Sequence, residues 1–328
     1  MQAFFKPMIK GKDNLTCPAF SFLIEHSSGK RFLFDLGTRK DWETLPPTVV
    51  NRIKGFGANI SIEKNVAEIL QEHNVDVANG AIDSVMWSHH HWDHVGDMRT
   101  FPQSTGLIVG PGFQKQYLPG YPENEDSPVL AEDFRDHPVR EIDIAAEGKG
   151  LKIGRFNAYD YFDDGSFYLL DTPGHSVGHM CGLARTTAGK DPSFVFMAGD
   201  ACHHGGEFRP SEYSPLPSEL KPPTVKRFGP ICPGHALVEM HRSKDPTKPF
   251  YQVQEKFPHD LQKCNWTIDG LMEFDAHPNV LMLMAHDETV LDILDLYPKQ
   301  LNDWKEKDVA TKAKWRFIDD FSEAVPQK

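Results

Sequence analysis

An α/β fold with two β-sheets packed face to face is the architecture the sequence predicts. Two observations carry this expectation. Short apolar segments of strand length alternate with segments of helical period in both halves of the 328-residue chain, and no repeat of solenoid length is visible. Several of the apolar segments also end in a turn bearing a histidine or an aspartate, and strand-end loops are where reactive side chains are usually held.

The elements follow in order. Residues 20–25 (FSFLIE) and 31–37 (RFLFDLG), separated by Ser27, Ser28, Gly29 and Lys30, read as a hairpin from their alternation and turn residues. Asp35 and Gly37 end its second strand. After a Gly- and Pro-bearing stretch at 38–59, the stripe Ile62, Val66, Ile69 and Leu70 predicts a helix over 61–73, opened by an imperfect capping box of Ser61 and Lys64. Residues 82–87 read as a strand, 107–110 as a short buried strand, and the Gly, Pro and acidic residues of 111–138 as mostly loop. A hairpin at 156–161 and 166–170 turns on Asp163, Asp164 and Gly165, and 180–185 and 194–197 follow as strands. Residues 202–248 combine Pro210, Pro215, Pro217, Pro222, Pro223, Pro230 and Pro233 with little periodicity. They read as an ordered excursion over the site, so residues 1–328 form a single domain with a Pro-rich active-site insertion at about 202–250. A helix at 260–274, a buried strand at 280–285, a helix at 288–296 and a charged tail complete the chain, with Trp304, Trp315 and Phe317 available to dock.

Composition narrows the partners. With 35 Lys+Arg against 47 Asp+Glu, the formal charge of -12 has the wrong sign for nucleic acid or anionic lipid. No apolar run approaches the roughly 20 residues of a spanning helix, and the first residues lack the apolar core of a signal peptide. The five cysteines are scattered, with no C-x-x-C, and fit reduced thiols. The expectation is a soluble, cytoplasmic protein acting on a small molecule, with its oligomeric state left open.

The chemistry is concentrated in SHHHWDH, residues 88–94, directly after the apolar run 82–87. An extended segment puts residues i and i+2 on one side. His89 and His91 can therefore grip one ion while Asp93 and His94, starting the next turn, face another. Later loops add His175, Asp200 and His286. His90 points the other way and suits packing, His179 suits a hydrogen bond within the fold, and Cys202 suits a small buried position. His235, His241, His259 and His277 read as solvated or structural.

Taken together, H-x-H-x-D-H, the T-P-G-H-x-x-G-H of residues 172–179, Gly199-Asp200 and His286-Asp287 resemble the metallo-β-lactamase superfamily over about 200 residues. Within it the pattern resembles the dinuclear hydrolases, especially the lactonases of quorum-sensing signals. The resemblance implies a four-layer αββα sandwich in which His89, His91 and His175 hold a first metal, Asp93, His94 and His286 a second, and Asp200 bridges. It also implies that Asp35 hydrogen-bonds a ligand histidine. Imidazole and carboxylate without thiolate suit two Zn²⁺, with Mn²⁺, Fe or Co also compatible. Two such ions can lower the pKa of a shared water toward about 7 and polarise a carbonyl. The implied activity is a metal-dependent hydrolase of lactonase or lactamase type, opening a cyclic ester or amide, with Asp93 and His203 as catalytic candidates. His203 stands where these lactonases commonly carry a tyrosine, three residues after the bridging aspartate. An imidazole there can protonate a leaving alkoxide or amine, which makes a lactam as serious a substrate as a lactone.

Two rivals remain from other classes: a glyoxalase II-like thioesterase and a non-catalytic metal-binding protein. The first would want a basic patch near the C-terminus, where lysines here mix with Asp and Glu. The irregular stretches 38–59, 111–138 and 202–248 are expected to wall the pocket, and their Phe, Tyr, Leu and Pro content implies a small, apolar or aromatic substrate.

Overall fold

The computed structural model describes residues 3–10, 14–220, 232–321 and 323–324. The chain begins with β1 (Phe5–Lys6) and then lays down β2 (Phe22–Glu25), β3 (Arg31–Phe34), β4 (Ser84–Met86), β5 (Gly106–Val109) and β6 (Val139–Glu141) as one sheet in that spatial order. The β2–β3 pair is antiparallel and the remaining pairs are parallel. The second sheet holds β7 (Lys152–Ile153), β8 (Phe156–Asp160), β9 (Phe167–Asp171), β10 (Met180–Arg185) and β11 (Phe194–Met197). Two short pairs follow, β12 (Glu219–Leu220) with β13 (Cys232–Pro233) and β14 (Gln252–Val253) with β1. The last strand, β15 (Val280–Leu283), adds to the second sheet in parallel with β11.

Alternation inside the strands explains the layers. Phe32 and Phe34 of β3, Met86 of β4 and Ile108 of β5 meet Phe167 and Leu169, Val195 and Met197, and Leu281 and Leu283 in a buried cluster between the sheets. Their neighbours in sequence face outward. Leu33, Val85, Leu107 and Val109 lie with Ala67 and Leu70, while Leu170, Phe196 and Met282 lie with Cys264, Ile268, Leu271 and Phe274. A period of two thus feeds two cores from each sheet. Each large apolar side chain so buried contributes on the order of 1.5–3 kcal/mol.

Helices complete the expected αββα sandwich. They are α1 (Pro47–Gly55), α2 (Val66–Glu72), α3 (Trp92–Val95), α4 (Phe113–Tyr117), α5 (Glu132–Arg135), α6 (Ile144–Glu147), α7 (Gly234–Met240), α8 (Leu261–Asp275) and α9 (Val309–Lys314). The largest covers the outer face of the second sheet: α8 buries Cys264, Ile268, Leu271 and Phe274. No helix among the described residues is long and apolar enough to cross a membrane.

Two expectations need correction. The helix read from residue 61 starts at Val66, because the box that closes is Asn65 with Glu68, whose carboxylate accepts the Asn65 N–H at 2.7 Å. Lys64 is drawn instead to Glu72 at 2.6 Å. The helix read over 288–296 is only a 3-10 turn at Glu288–Val290, since the Asp287 carboxylate accepts both the N–H and the hydroxyl of Thr289 at 3.0 and 2.5 Å and tightens the chain. The stretch 111–138 is mostly loop, as expected, with the short helices α4 and α5 inside it.

The Pro-rich stretch is ordered where it is described; Pro222, Pro223 and Pro230 lie outside the described residues. Arg209 binds Asp275 of α8 at 2.5 to 3.0 Å, with both side chains buried. Phe5, Leu216, Leu237, Phe250, Tyr251, Phe317 and Phe321 form a separate core that joins β1, this stretch and the tail. Trp304 and Phe317 dock as expected, both buried, and Trp315 is half-buried.

Candidate metal centre

Five strand ends build the site. Asp35 follows β3, residues 88–94 follow β4, His175 follows β9, Asp200 follows β11 and His286 follows β15. The seven residues expected as ligands converge into two groups, His89, His91, His175 and Asp200 in one and Asp93, His94 and His286 in the other. Within each group one donor atom per residue lies within 4.8 Å of the others.

In the first group His89 Nε2, His91 Nδ1 and His175 Nε2 form a triangle with edges of 2.9, 3.0 and 3.2 Å. Asp200 Oδ2 caps it at 3.5 Å from His89 and 3.4 Å from His175. A tetrahedral ion with bonds of 2.0–2.1 Å has donor–donor edges of about 3.3 Å, so three nitrogens and an oxygen at these separations match its shell. The other carboxylate oxygen, Asp200 Oδ1, stands 3.0 Å from both His94 Nε2 and His286 Nε2. Asp93 Oδ2 joins them at 3.5 Å from His286 Nε2. Asp200 therefore faces each group with a different oxygen.

The far side of each ring fixes what the near side offers. His94 Nδ1 donates to Asp35 Oδ2 at 2.8 Å, and His286 Nδ1 donates to the Pro18 carbonyl at 2.7 Å. Neither oxygen has a proton to give, so in the neutral ring Nε2 is a bare lone pair. Ser88 Oγ gives its own proton to Asp35 Oδ2 at 2.8 Å and is left to accept from His89 Nδ1 at 3.0 Å. Asp200 Oδ1 and His94 Nε2 are buried without a hydrogen-bond partner despite their proximity. Lone pairs facing lone pairs in a buried site repel unless a cation lies among them, and the donor set fits metal ions on that ground.

The electrostatics show the same demand for positive charge beside Asp200. Burial, reinforced by neighbouring histidines, holds His89, His91 and His175 well below the usual imidazole range. Burial also acts on His94 and His286, but there the carboxylates of Asp200 with Asp35 or Asp93 outweigh it and raise both. Burial opposes ionisation of Asp200 in turn, yet His94, His286 and His203 hold its carboxyl well below the ordinary value.

A family model described as the Metallo-beta-lactamase superfamily matches residues 15–185. The Gamma-lactamase FDB1 of Fusarium pseudograminearum (strain CS3096) is 43% identical over 327 residues, covering 98% of this chain and 78% of that protein. The chain belongs to the metallo-beta-lactamase superfamily. The Metallo-hydrolase mfmC of Annulohypoxylon moriforme is 44% identical over 324 residues, covering 98% of this chain and 84% of that protein. Among solved structures, a quorum-quenching N-acyl homoserine lactone lactonase aligns with a TM-score of 0.52 at 16% identity, over 86% of this chain and 85% of that one, a likeness of fold.

Around this superfamily centre the remaining histidines divide by role. His203, buried, donates from Nε2 to Asp200 Oδ2 at 3.1 Å and is held by its backbone N–H on Glu207 at 2.6 Å. His204 turns away to Asp320 at 3.0 Å. His90 stacks on Tyr117 at 4.1 Å, and burial pushes its imidazole down to about 3, in keeping with a packing role. His179 accepts the Asp200 N–H at Nε2 and donates from Nδ1 to the Thr172 carbonyl, so it fixes the backbone of Asp200 from behind. Cys202 is buried, and burial holds its thiol well above the usual range.

Sequence reasoning missed Pro18, Ser88, Phe4 and Phe257. Ser88 was visible beside His89, but its role depends on Asp35 lying opposite. Pro18 acts through a backbone carbonyl, which leaves no side-chain signal. Phe4 and Phe257 pack on His203 at 5.2 and 4.9 Å from segments outside the three expected walls, and Phe56 of the 38–59 stretch lies 6.4 Å from Phe4. The stretch 111–138 meets the metal loop through Tyr117 on His90, and through Tyr121 and Leu130 in a cluster with Trp92.

Proposed function

We propose that this metal-dependent hydrolase opens a small lactam or lactone, apolar or aromatic in character, at a centre of two Zn²⁺ ions. His89, His91 and His175 would hold one ion, Asp93, His94 and His286 the other, and Asp200 both. The observation that carries this reading is Asp200, whose two oxygens each face one histidine group at 3.0 to 3.5 Å. Similarity to a gamma-lactamase across nearly the whole chain supports the substrate class. The same donors accept Mn²⁺, Fe or Co, so the choice of Zn²⁺ rests on ligand type. Such a pair of ions, when bound, supplies an activated water and polarises the scissile carbonyl.

The chain's own groups do the rest. Asp35, Ser88 and Pro18 fix the ring tautomers, so the donors are set before substrate arrives. Asp93, with 20% of its side chain exposed against 4% for Asp200, is the more accessible of these two carboxylates and takes up a proton as the acyl bond is cleaved. His203 Nε2 gives a proton to the departing nitrogen or oxygen, and water added across the acyl bond leaves an open-chain amino or hydroxy acid. Residues 1–328 act as one hydrolase domain with the 202–250 insertion beside the site. The free thiols Cys17, Cys181, Cys202 and Cys264 suit a cytoplasmic location.

A turnover screen of the metal-loaded protein on lactams, lactones, thioesters and phosphodiesters tests this. Hydrolysis of a lactam or lactone that a chelator abolishes is expected. Turnover of the thioester alone would replace this reading with a thioesterase.

A further inference from the structure

His203 and His204 are neighbours in sequence with opposite surroundings: the first contacts the metal centre, and the second enters the core that the end of the chain builds. The His204 ring is buried among Phe5, Tyr251 and Phe317, at 5.1, 4.8 and 5.5 Å between ring centres. Both of its nitrogens are engaged. Nδ1 accepts the Gly206 N–H at 2.9 Å, so the proton of the neutral ring lies on Nε2 and is donated to Asp320 Oδ2 at 3.0 Å. Asp320 belongs to the 3-10 helix Arg316–Phe321 near the end of the chain.

The segment after His204 is shaped to meet that helix. A Cβ on Gly205 would stand 2.9 Å from the Phe317 ring, and one on Gly206 2.8 Å from the Tyr251 ring, so the backbone lies directly against both. Glu207 then folds back, and its Oε2 accepts the N–H groups of His203 and His204 at 2.6 and 3.0 Å. Arg209 fastens the far end, donating to the Lys314 carbonyl at 2.9 Å. The backbone from which the His203 imidazole projects is therefore held by groups outside the ligand set. With 6% of the His204 side chain and 15% of the Asp320 side chain exposed, the bond between them is largely shielded from water, where a hydrogen bond to a carboxylate holds its geometry best. Geometry is what a proton donor needs. It must stay within about 2.6–3.2 Å of the departing atom, and a misplacement of about 1 Å can cost about 10²-fold in rate.

We propose that Asp320 is a positioning residue: through His204, the C-terminal 3-10 helix holds His203 where it can protonate the departing heteroatom. This inference rests on the lactam or lactone reading of the site and on the donor role given to His203.

The test uses the zinc-loaded full chain and three five-membered rings with successively poorer leaving groups, γ-thiobutyrolactone, γ-butyrolactone and 2-pyrrolidinone. A thiolate departs without a proton, whereas an alkoxide or an amide nitrogen needs one. Asp320→Ala is expected to lower kcat on γ-butyrolactone about tenfold more than on the thiolactone, and on the lactam more again, with KM little changed. Asp320→Asn, which can still accept from His204, is expected to restore most of the loss, and Asp320→Ala placed on His203→Ala to add nothing further. His204→Asn is the second variant, because its amide oxygen can still take the Gly206 N–H while its side chain is too short to reach Asp320; it is expected to reproduce Asp320→Ala. Equal losses on all three rings, or a loss that adds in full to that of His203→Ala, would overturn the positioning role and leave Asp320 a stabilising residue. A crystal structure of either variant gives a reading independent of turnover: His203 Nε2 out of hydrogen-bond reach of Asp200 Oδ2 is expected, and an unmoved His203 refutes the proposal. If the wild type opens neither the lactone nor the lactam, or His203→Ala itself shows no such grading, the reading of the site falls, and the crystal structure alone decides whether Asp320 positions His203.

Discussion

Asp200 reaches the two histidine groups with different oxygens, and its removal should therefore be felt at both. Asp200→Ala is expected to lose most activity and at least one equivalent of metal, measured by elemental analysis beside turnover; a variant that keeps both ions and full rate would show that the carboxylate is not shared. His203 is judged by comparing His203→Ala and His203→Tyr on a matched lactam and lactone. Proton donation to the departing atom predicts a loss of about 10²-fold or more, larger for the lactam with its poorer leaving group. Small, equal losses would mean that the imidazole only steadies Asp200. At this scale the donors were legible, because metal chemistry needs those residue types at i, i+2 spacing and at strand ends. Asp35 was legible only in part. Its left-handed backbone, φ +59, is a strained state for a non-glycine residue, held because Ser88 N–H, Ser88 Oγ–H and His94 Nδ1–H all converge on its carboxylate.

The loop that presents His175 is gripped by the start of α8. His259 N–H and Asp260 N–H donate to the His175 and Gly174 carbonyls at 3.0 and 2.9 Å, and Thr267 Oγ donates to the Pro173 carbonyl at 2.7 Å. Gly174 has φ +129, and a Cβ there would stand 2.1 Å from the backbone nitrogen of Cys264. Gly174→Ala must therefore push loop and helix apart. It is expected to lower the melting temperature and to weaken metal binding at least about tenfold, the order seen when the supports of metal ligands are lost. Calorimetric titration giving wild-type affinity would show that α8 does not set the position of His175. Strands were legible as elements because a period of two survives in short runs such as RFLF. Helix boundaries were less so: several polar residues near residue 61 could cap a helix, and only the fold shows that Glu68 returns to Asn65.

Across the molecule, a charge network centred on a buried arginine ties three distant segments together. Arg39, fully buried, contacts Asp41 and Asp97 at 3.0 Å and Glu132 and Asp133 at 3.6 Å, while Arg99 joins Asp41, Asp97 and Glu132. Burial pushes the Asp133 carboxyl from 3.8 up to about 7; Arg39 opposes this, and Asp97 and Glu132 add to it. Between those values the folded state binds more protons at Asp133 than the unfolded state does. Stability from this group is therefore greatest at the acid end and falls by up to about 1.4 kcal/mol per unit as pH rises toward 7. Asp133→Asn is expected to flatten the dependence of the urea midpoint on pH between about 5 and 7, and an unchanged slope would place its origin elsewhere. Neither this network nor the aromatic group at Phe4, Phe56 and Phe257 was legible in the sequence. Spacing along the chain reveals local geometry, whereas which remote loops meet is decided by how the two sheets pack. The central claim, a centre for two metal ions that turnover requires, is tested most directly by titrating metal into chelator-treated protein while following hydrolysis. Uptake that saturates at two ions per chain, with activity rising to completion at the second, is the predicted result; saturation at one, or full turnover with none, would contradict it.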